Sequence, residues 1–442
     1  MNRQERTSRV FYGWYVVAAV FIMLFLNAAA AFMIGVMVKP MAADFDWSRS
    51  AISAAIFLNF AVYALALLLA GRLYDLYGPR WVVAGSTVLF AAGYALMATM
   101  GAYWQFLLYY GVIAAAGMGG STVPLFGSII GRWFEKRRGL VVSLAFAGNC
   151  IGQFLLVPVY SDLITISGWR ATCLWMAALS GVIGLILTFV VLRGDPWKLG
   201  LQPYGASDRG DQVVRLDSTS APRAAAPRGL TIAEAMRTRS LWMFAILMFF
   251  CGGGDYFVAT HLVPMVTDYG ISTATASNML AWLGLMSLVG ILIAGPASDA
   301  IGNKLPIATT FVLRIIVFVM LLKFKGVVPF WIFSLTFGVT LMVTAPLTPT
   351  LVSALYGVTH IGFISGFVTT LHMVGAGLFA YLGGLIFDKT DSYNLALLIS
   401  AVLAAVALVC TLLIREKRHV VDEGADGAPG RIRVLDQGAE GL

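Results

Sequence analysis

"GRLYDLYGPR" runs from Gly71 to Arg80, and "GPASDAIGNK" from Gly295 to Lys304. Both read G-x-x-x-D-x-x-G-x-[KR], and each sits where an apolar run ends. One copy describes no more than a sharp polar loop. Two copies with the same residue types in the same order describe an internal repeat. Glycine permits a tight turn and the close approach of two helices. The aspartates, Asp75 and Asp299, can sit at a neighbouring helix N-terminus or face a basic side chain. Gly71, Asp75, Gly78 and Arg80, with Gly295, Asp299, Gly302 and Lys304, are therefore expected to form a conformational latch, one copy in each half of the chain.

The runs around the two copies decide the class. Of 442 residues, 59% are hydrophobic and 12% charged, against about 45–50% and about 25% in soluble domains. That surplus cannot be buried in a soluble core, so the chain is expected to cross a membrane many times. Apolar runs of about 20 residues fall at roughly 14–38, 51–71, 81–100, 104–130, 139–160 and 171–192, then 241–267, 274–296, 305–322, 328–352, 362–386 and 393–414. All are expected to be helices, because in lipid each segment must satisfy its own backbone amides. The basic start "MNRQERTSRVFYGW" leads into an apolar stretch that reaches Val38, too long for a cleavable signal and better read as the first span.

With the N-terminus inside, 23 of the 30 lysines and arginines fall on the inner side, six on the outer, and Arg314 within a span. Both termini are thus expected to be cytoplasmic. The net charge of +8 reports this topology and contact with anionic lipid rather than nucleic-acid binding. Each motif copy lies in the inner loop between the second and third spans of its half. Residues 1–193 and 241–414 are expected to form two six-helix bundles of the same handedness, a parallel repeat. Between them, 194–240 reads as a cytoplasmic linker with a short interfacial helix at "TIAEAMRTRSLW", where Thr231 and Glu234 have capping-box spacing. The tail, 415–442, is polar and expected to be disordered.

The doubled motif resembles that of the major facilitator superfamily, over almost the whole chain. "FYGWYVV" at Phe11–Val17 is similar to the opening of monocarboxylate porters, although the acidic residue and the first glycine of their pattern are missing. "GRWFEKRRGLVVSLAFAGNCIG" at Gly131–Gly152 resembles their second signature in Trp133, Phe134, Lys136, Arg137, Arg138, Leu140, Ala145 and Gly148, with Val141 and Ser143 as departures. "THLVPMVTDYGIS" at Thr260–Ser272 is similar to span 7 of bacterial relatives of monocarboxylate and oxalate/formate transporters. The resemblance implies an all-α membrane protein of the major facilitator fold, with twelve transmembrane helices in two six-helix bundles around a central site. It also implies alternating access, and helix kinks at Pro124 and Pro158. The span-8 arginine that holds the carboxylate in many relatives is here Ile291, and the span-1 lysine of animal members is here Phe32.

Ionisable side chains inside a membrane are costly and tend to carry function. Asp255, His261, Arg314 and His372 are such residues. Asp255 follows Gly252–Gly253–Gly254, which are expected to weaken the helix and permit a break. Asp255 is the proton-coupling candidate and His261 a possible relay, although six positions place the two about 120° apart on an ideal helix. Arg314 and His372 are candidate substrate contacts, with neutral help from Tyr256, Asn149 and Asn27. An Asp255–Arg314 pair is compatible with the sequence but not readable from it.

"GMGGS" at Gly117–Ser121 lacks the P-loop lysine, which argues against an ATP-driven pump. No nucleophile–base or metal-ligand spacing is present. Cys150, Cys173, Cys251 and Cys410 lie in apolar runs and read as packing residues. No enzyme activity, cofactor or metal is expected. The expected function is proton-coupled uptake or exchange of small monocarboxylates in a bacterial inner membrane, by a chain that works as a monomer with a small organic anion, a proton and lipid as its partners. Rival readings are an antiporter or uniporter of another organic anion or drug-like solute, and a membrane receptor that senses solute without moving it.

Overall fold

The structure is a computed structural model. It describes residues 11–134, 138–193, 196, 200–205, 232–356, 361–414, 419–422 and 431–434. Among these residues fifteen α-helices follow in chain order. They are α1 (Tyr12–Phe45), α2 (Arg49–Tyr77), α3 (Pro79–Met97), α4 (Tyr103–Leu108), α5 (Ala115–Gly119), α6 (Val123–Trp133), α7 (Arg138–Val190), α8 (Ile232–Ala235), α9 (Arg239–Asp268), α10 (Thr273–Ile301), α11 (Lys304–Lys323), α12 (Val327–Leu341), α13 (Thr344–Tyr356), α14 (Ile361–Thr390) and α15 (Asn394–Leu413).

Ten helical segments among the described residues are long and apolar enough to cross a membrane. Two features separate ten from the expected twelve. First, α7 runs through the predicted fifth and sixth spans with one non-helical residue, Gly168 (φ 80, ψ 163). Second, the predicted fourth span is broken. A π-helical turn at Tyr109–Ala114 joins α4 to α5, and the chain opens at 120–122 before Thr122 caps α6. Pro124 stands in the first turn of α6, where its missing N–H costs nothing, rather than at a kink inside a helix. Pro158 does lie within α7.

The same turn recurs at both motif copies. Gly78 has φ 82 and ψ 165, and Gly302 has φ 80 and ψ 168. This region is essentially closed to side chains with a Cβ. Three helix-to-helix turns therefore use one glycine geometry, and the motif's second glycine is required by the backbone. The expected close approach at the first glycine is not found, since a Cβ on Gly71 or Gly295 would meet nothing within 4 Å.

By its contacts the chain divides into two compact units, Met1–Met37 with Val62–Gly210, and Val38–Ala61 with Asp211–Leu442. Each has its own apolar core. In the first, Val16, Val20, Leu24, Phe126, Ile130 and Trp133 are buried together. In the second, Leu241, Phe244, Leu247, Leu347, Leu351 and Val368 play that part. The repeat is visible in which helices touch. In the first unit α3 packs on α7, and in the second α11 packs on α15. Both pairings join the third and sixth spans of a half. Glycines let spans one and five meet, with Gly148 and Gly152 of α7 against the carbonyl oxygens of Phe21 and Phe25. The counterpart is Gly375 of α14 against the Phe249 oxygen of α9.

The segment 38–61 belongs with the second unit because its polar groups are tied there. Asp388 Oδ1 and Oδ2 accept from the backbone N–H groups of Arg49 (3.1 Å) and Ser50 (2.7 Å), at the start of α2. A carboxylate at a helix N-terminus satisfies orphan amides and matches the dipole.

In the expected short helix only one turn forms, α8, and Thr231 lies outside the described residues. Thr238 caps α9 instead, accepting from Leu241 N. Two short strands are described in the tail. His419–Asp422 pairs antiparallel with Arg431–Val434, in a register that sets Asp422 opposite Arg431. Each strand is rich in β-branched residues, which favour extended backbone.

Candidate functional site

A buried charge cluster lies in the second unit. Gly252, one residue after Cys251 on α9, brings α14 in, since a Cβ there would sit 2.0 Å from the His372 carbonyl oxygen. Gly253 faces the Phe379 ring, and Gly254 stands near the Arg314 guanidinium. The three glycines do not break α9, which continues from Arg239 to Asp268. They allow close helix contact instead.

That contact brings three predicted residues together. Asp255 Oδ1 lies 2.7 Å from Arg314 Nη2 of α11. Its Oδ2 lies 3.2 Å from His372 Nε2 of α14. The Oδ1 contact is an ion pair by distance, without a directed hydrogen bond. Arg314 is 1% exposed. Its Nε donates to Thr340 Oγ1 (3.1 Å) and its Nη2 to Thr340 O (3.0 Å). The guanidinium also lies 4.8 Å from the Phe337 ring centre. A fully buried arginine needs such partners. The side chain of His372 is 13% exposed and that of Asp255 6%, so the cluster meets its surroundings at the histidine. His372 Nδ1 is buried and has no partner among the described residues.

Cys251 completes the group. Its Sγ lies 3.5 Å from Asp255 Oδ2, 3.5 Å from Arg314 Nη1 and 3.8 Å from Thr344 Oγ1. Cys251, Asp255 and His372 offer three ligand atoms within 4.8 Å of one another, a group that could hold a metal ion. The histidine is 117 positions from the aspartate, so no local pattern could show it.

His261 goes elsewhere. It is fully buried, and its Nε2 lies 2.8 Å from Ala380 O. A carbonyl only accepts, so Nε2 carries the proton and Nδ1 accepts from Tyr393 Oη at 3.1 Å. Tyr393 Oη in turn accepts from Arg49 Nη1 at 2.8 Å. Arg49 also holds Asp268 through two bonds, Nη1 to Oδ2 (2.7 Å) and Nη2 to Oδ1 (2.9 Å), and lies 3.6 Å over the Phe387 ring. Lys39 Nζ adds a third contact to Asp268 at 2.6 Å. In sequence Arg49 and Lys39 are two of the six outer-side basic residues. The signal there was two cations flanking a short break between helices.

Tyr256 is half-buried. Its ring lies 4.3 Å from that of Phe60 and 6.5 Å from that of His372, at the edge of the charge cluster. Asn27 and Asn149 belong to the first unit, on α1 and α7, half-buried and without a hydrogen-bond partner among the described residues.

The basic residues of the doubled motif make equivalent contacts. Arg80 Nη2 donates to Phe189 O at the end of α7 (2.5 Å). Lys304 Nζ donates to Leu412 O (2.5 Å) and Ile414 O (3.2 Å) at the end of α15. Each caps the last carbonyls of its half's sixth span, where a cation is favoured. Asp75 and Asp299 stand in α2 and α10, and their side chains lie outside the described residues.

Two further quoted stretches meet in space. Phe11, Tyr12 and Trp14 pack on Trp133 and Phe134, with ring centres 5.2–6.0 Å apart. Trp133 Nε1 donates to Arg193 O, and Tyr12 Oη to Val191 O. Lys136 and Arg137 lie outside the described residues, as does the side chain of Arg138.

Comparisons with known proteins agree with this architecture. The family model described as Major Facilitator Superfamily matches residues 20–274 and 244–435. The chain is 24% identical over 412 residues to the uncharacterized MFS-type transporter YcxA of Bacillus subtilis, covering 90% of this chain and 94% of that protein. It is 25% identical over 403 residues to monocarboxylate transporter 11 of Homo sapiens, covering 88% and 80%. Among solved structures, a D-xylose–proton symporter superposes with a TM-score of 0.69 at 15% identity, covering 92% of this chain and 97% of that one. A bacterial homologue of the human lysosomal transporter Spinster, inward-facing and unoccupied, gives 0.70 at 15%, covering 92% and 98%. The relatives and the fold are those of transporters and not of enzymes. A doubled loop motif, two helical units with matching helix contacts and a family model spanning both lead to one conclusion: this multi-pass membrane chain belongs to the Major Facilitator Superfamily.

Proposed function

We propose that this chain is a proton-coupled secondary transporter of small monocarboxylates, working by alternating access with both termini in the cytoplasm. The observation that carries the proposal is Asp255 held between Arg314 and His372 in the second unit. As a carboxylate, Asp255 neutralises Arg314. A proton on Asp255 removes that negative charge and leaves Arg314 and His372 with a net preference for an anion. A solute carboxylate drawn toward His372, the more exposed member, completes the exchange. Proton and anion are then favoured together and released together. Arg314, locked by Thr340, supplies charge from behind rather than moving to meet the solute. Tyr256, beside His372, supplies a neutral hydrogen bond to the rest of the solute. The monocarboxylate transporters among the relatives support the solute class, and the proton-symporter neighbour agrees with the proposed coupling.

The test is uptake of labelled L-lactate into proteoliposomes under an inward proton gradient, repeated with protonophore. Accumulation that collapses with the gradient supports the proposal. Absence of uptake by folded, inserted protein refutes it for monocarboxylates and favours the second reading, exchange of another organic anion. Ile291 at the family's usual arginine position is the observation behind that second reading.

A further inference from the structure

We propose that Cys251, Asp255 and His372 form a binding site for a borderline-soft divalent cation of the Zn²⁺ class. The inference does not depend on the transport reading, because it can be tested by binding alone.

The argument is geometric. Tetrahedral Zn²⁺ takes Cys sulfur at about 2.3 Å, His nitrogen at about 2.0–2.1 Å and carboxylate oxygen at about 2.0–2.2 Å. Those lengths and tetrahedral angles set sulfur and oxygen about 3.6 Å apart, and nitrogen and oxygen about 3.4 Å apart. The structure has Cys251 Sγ 3.5 Å from Asp255 Oδ2. His372 Nε2 lies 3.2 Å from the same oxygen. All three ligand atoms lie within 4.8 Å of one another. Cys251 and Asp255 are one helical turn apart on α9, and Gly252 holds α14 close enough for His372 to join them. Thr344 Oγ1 lies 3.8 Å from Cys251 Sγ and adds a hydroxyl oxygen to the cluster's surroundings. The mixed sulfur, nitrogen and oxygen set suits zinc or cadmium and disfavours magnesium or calcium, which take oxygen ligands.

Arg314 is the obvious objection, since its guanidinium is 2.7 Å from Asp255 Oδ1. It occupies the other carboxylate oxygen and leaves Oδ2 to face the cysteine and histidine. Its Nη1 lies 3.5 Å from Cys251 Sγ. When the ion binds, the thiol gives up its proton to solvent and a metal–sulfur bond forms. The site gains one net positive charge, the same as a single protonation brings. His372, the most exposed of the three, is the side of entry.

The experiment is Cd²⁺ titration of the full-length protein in detergent, read by the ultraviolet charge-transfer band of a cadmium–thiolate bond. One equivalent is expected to give the band. A variant with Cys150→Ala, Cys173→Ala and Cys410→Ala should keep it, so that Cys251 is the single thiol responsible. His372→Gln should weaken binding at least about tenfold, since even second-shell losses cost that much. Affinity should rise about tenfold per pH unit for each proton displaced. Cys251→Ser, checked by thermal unfolding, should abolish the band. No band in folded protein, or a band that survives Cys251→Ser, would overturn the assignment. So would a band lost from the triple variant while it remains folded.

Discussion

Removing Asp255 alone should destabilise the second unit far more than removing it together with Arg314. The cost of breaking a buried pair comes from the charge left behind, typically about 3–5 kcal/mol. Arg314 in Asp255→Leu would retain Thr340 Oγ1, Thr340 O and the Phe337 face. Those contacts already satisfy part of the guanidinium, so the lower end applies, about 3 kcal/mol. Arg314→Met leaves Asp255 with His372 and Cys251. An aspartate can take up a proton where an arginine cannot lose one, so this variant should cost less, about 1–2 kcal/mol. The double variant exchanges a pair for apolar volume and should fall within about 1 kcal/mol of the parent. The assay is thermal unfolding of the four proteins in one detergent. For a unit of this size about 3 kcal/mol corresponds to a midpoint shift on the order of 10 °C. The coupling between the two substitutions should therefore be at least about 2 kcal/mol. Additive effects of the two substitutions would refute the reasoning, because they would mean that each group is satisfied without the other.

Three other outcomes follow from the same structure. Asp255→Asn should abolish gradient-driven accumulation in proteoliposomes while leaving solute exchange measurable, and accumulation at the parent level would remove Asp255 from coupling. Gly302→Ala should cost about 1–3 kcal/mol by thermal unfolding, because its backbone lies where a Cβ is strained, whereas Gly295→Ala, with open space around it, should shift stability by less than about 0.5 kcal/mol. Arg49→Lys should lose the two-bond grip on Asp268 and the Tyr393 contact, loosening the tie between α2 and α9; protection of the 38–61 amides in hydrogen exchange should fall, and unchanged protection would show that Asp388 and Lys39 hold the segment without Arg49.

What the sequence determined by itself was the scale and the plan. Apolar runs of bilayer length, the lysine and arginine asymmetry and a doubled ten-residue motif are local features, and local features survive in one dimension. They were enough for helices, for a repeat and for the superfamily. They also singled out Asp255, Arg314 and His372, because an ionisable group in an apolar run stands out without any knowledge of its neighbours. Tertiary structure alone decided the company each one keeps. Asp255, Arg314 and His372 come from three helices, and their meeting depends on Gly252 admitting α14 to α9. His261 shares α9 with Asp255, yet about 120° of helix phase sends it to Tyr393, and through that phenol to Arg49, instead. The glycine triplet read as a weak point in a helix and is a packing surface. The motif's lysine and arginine read as latch charges and cap the final carbonyls of a distant helix. In each case residue type sets what a group needs, and only the packing of helices far apart in the chain decides which partner supplies it.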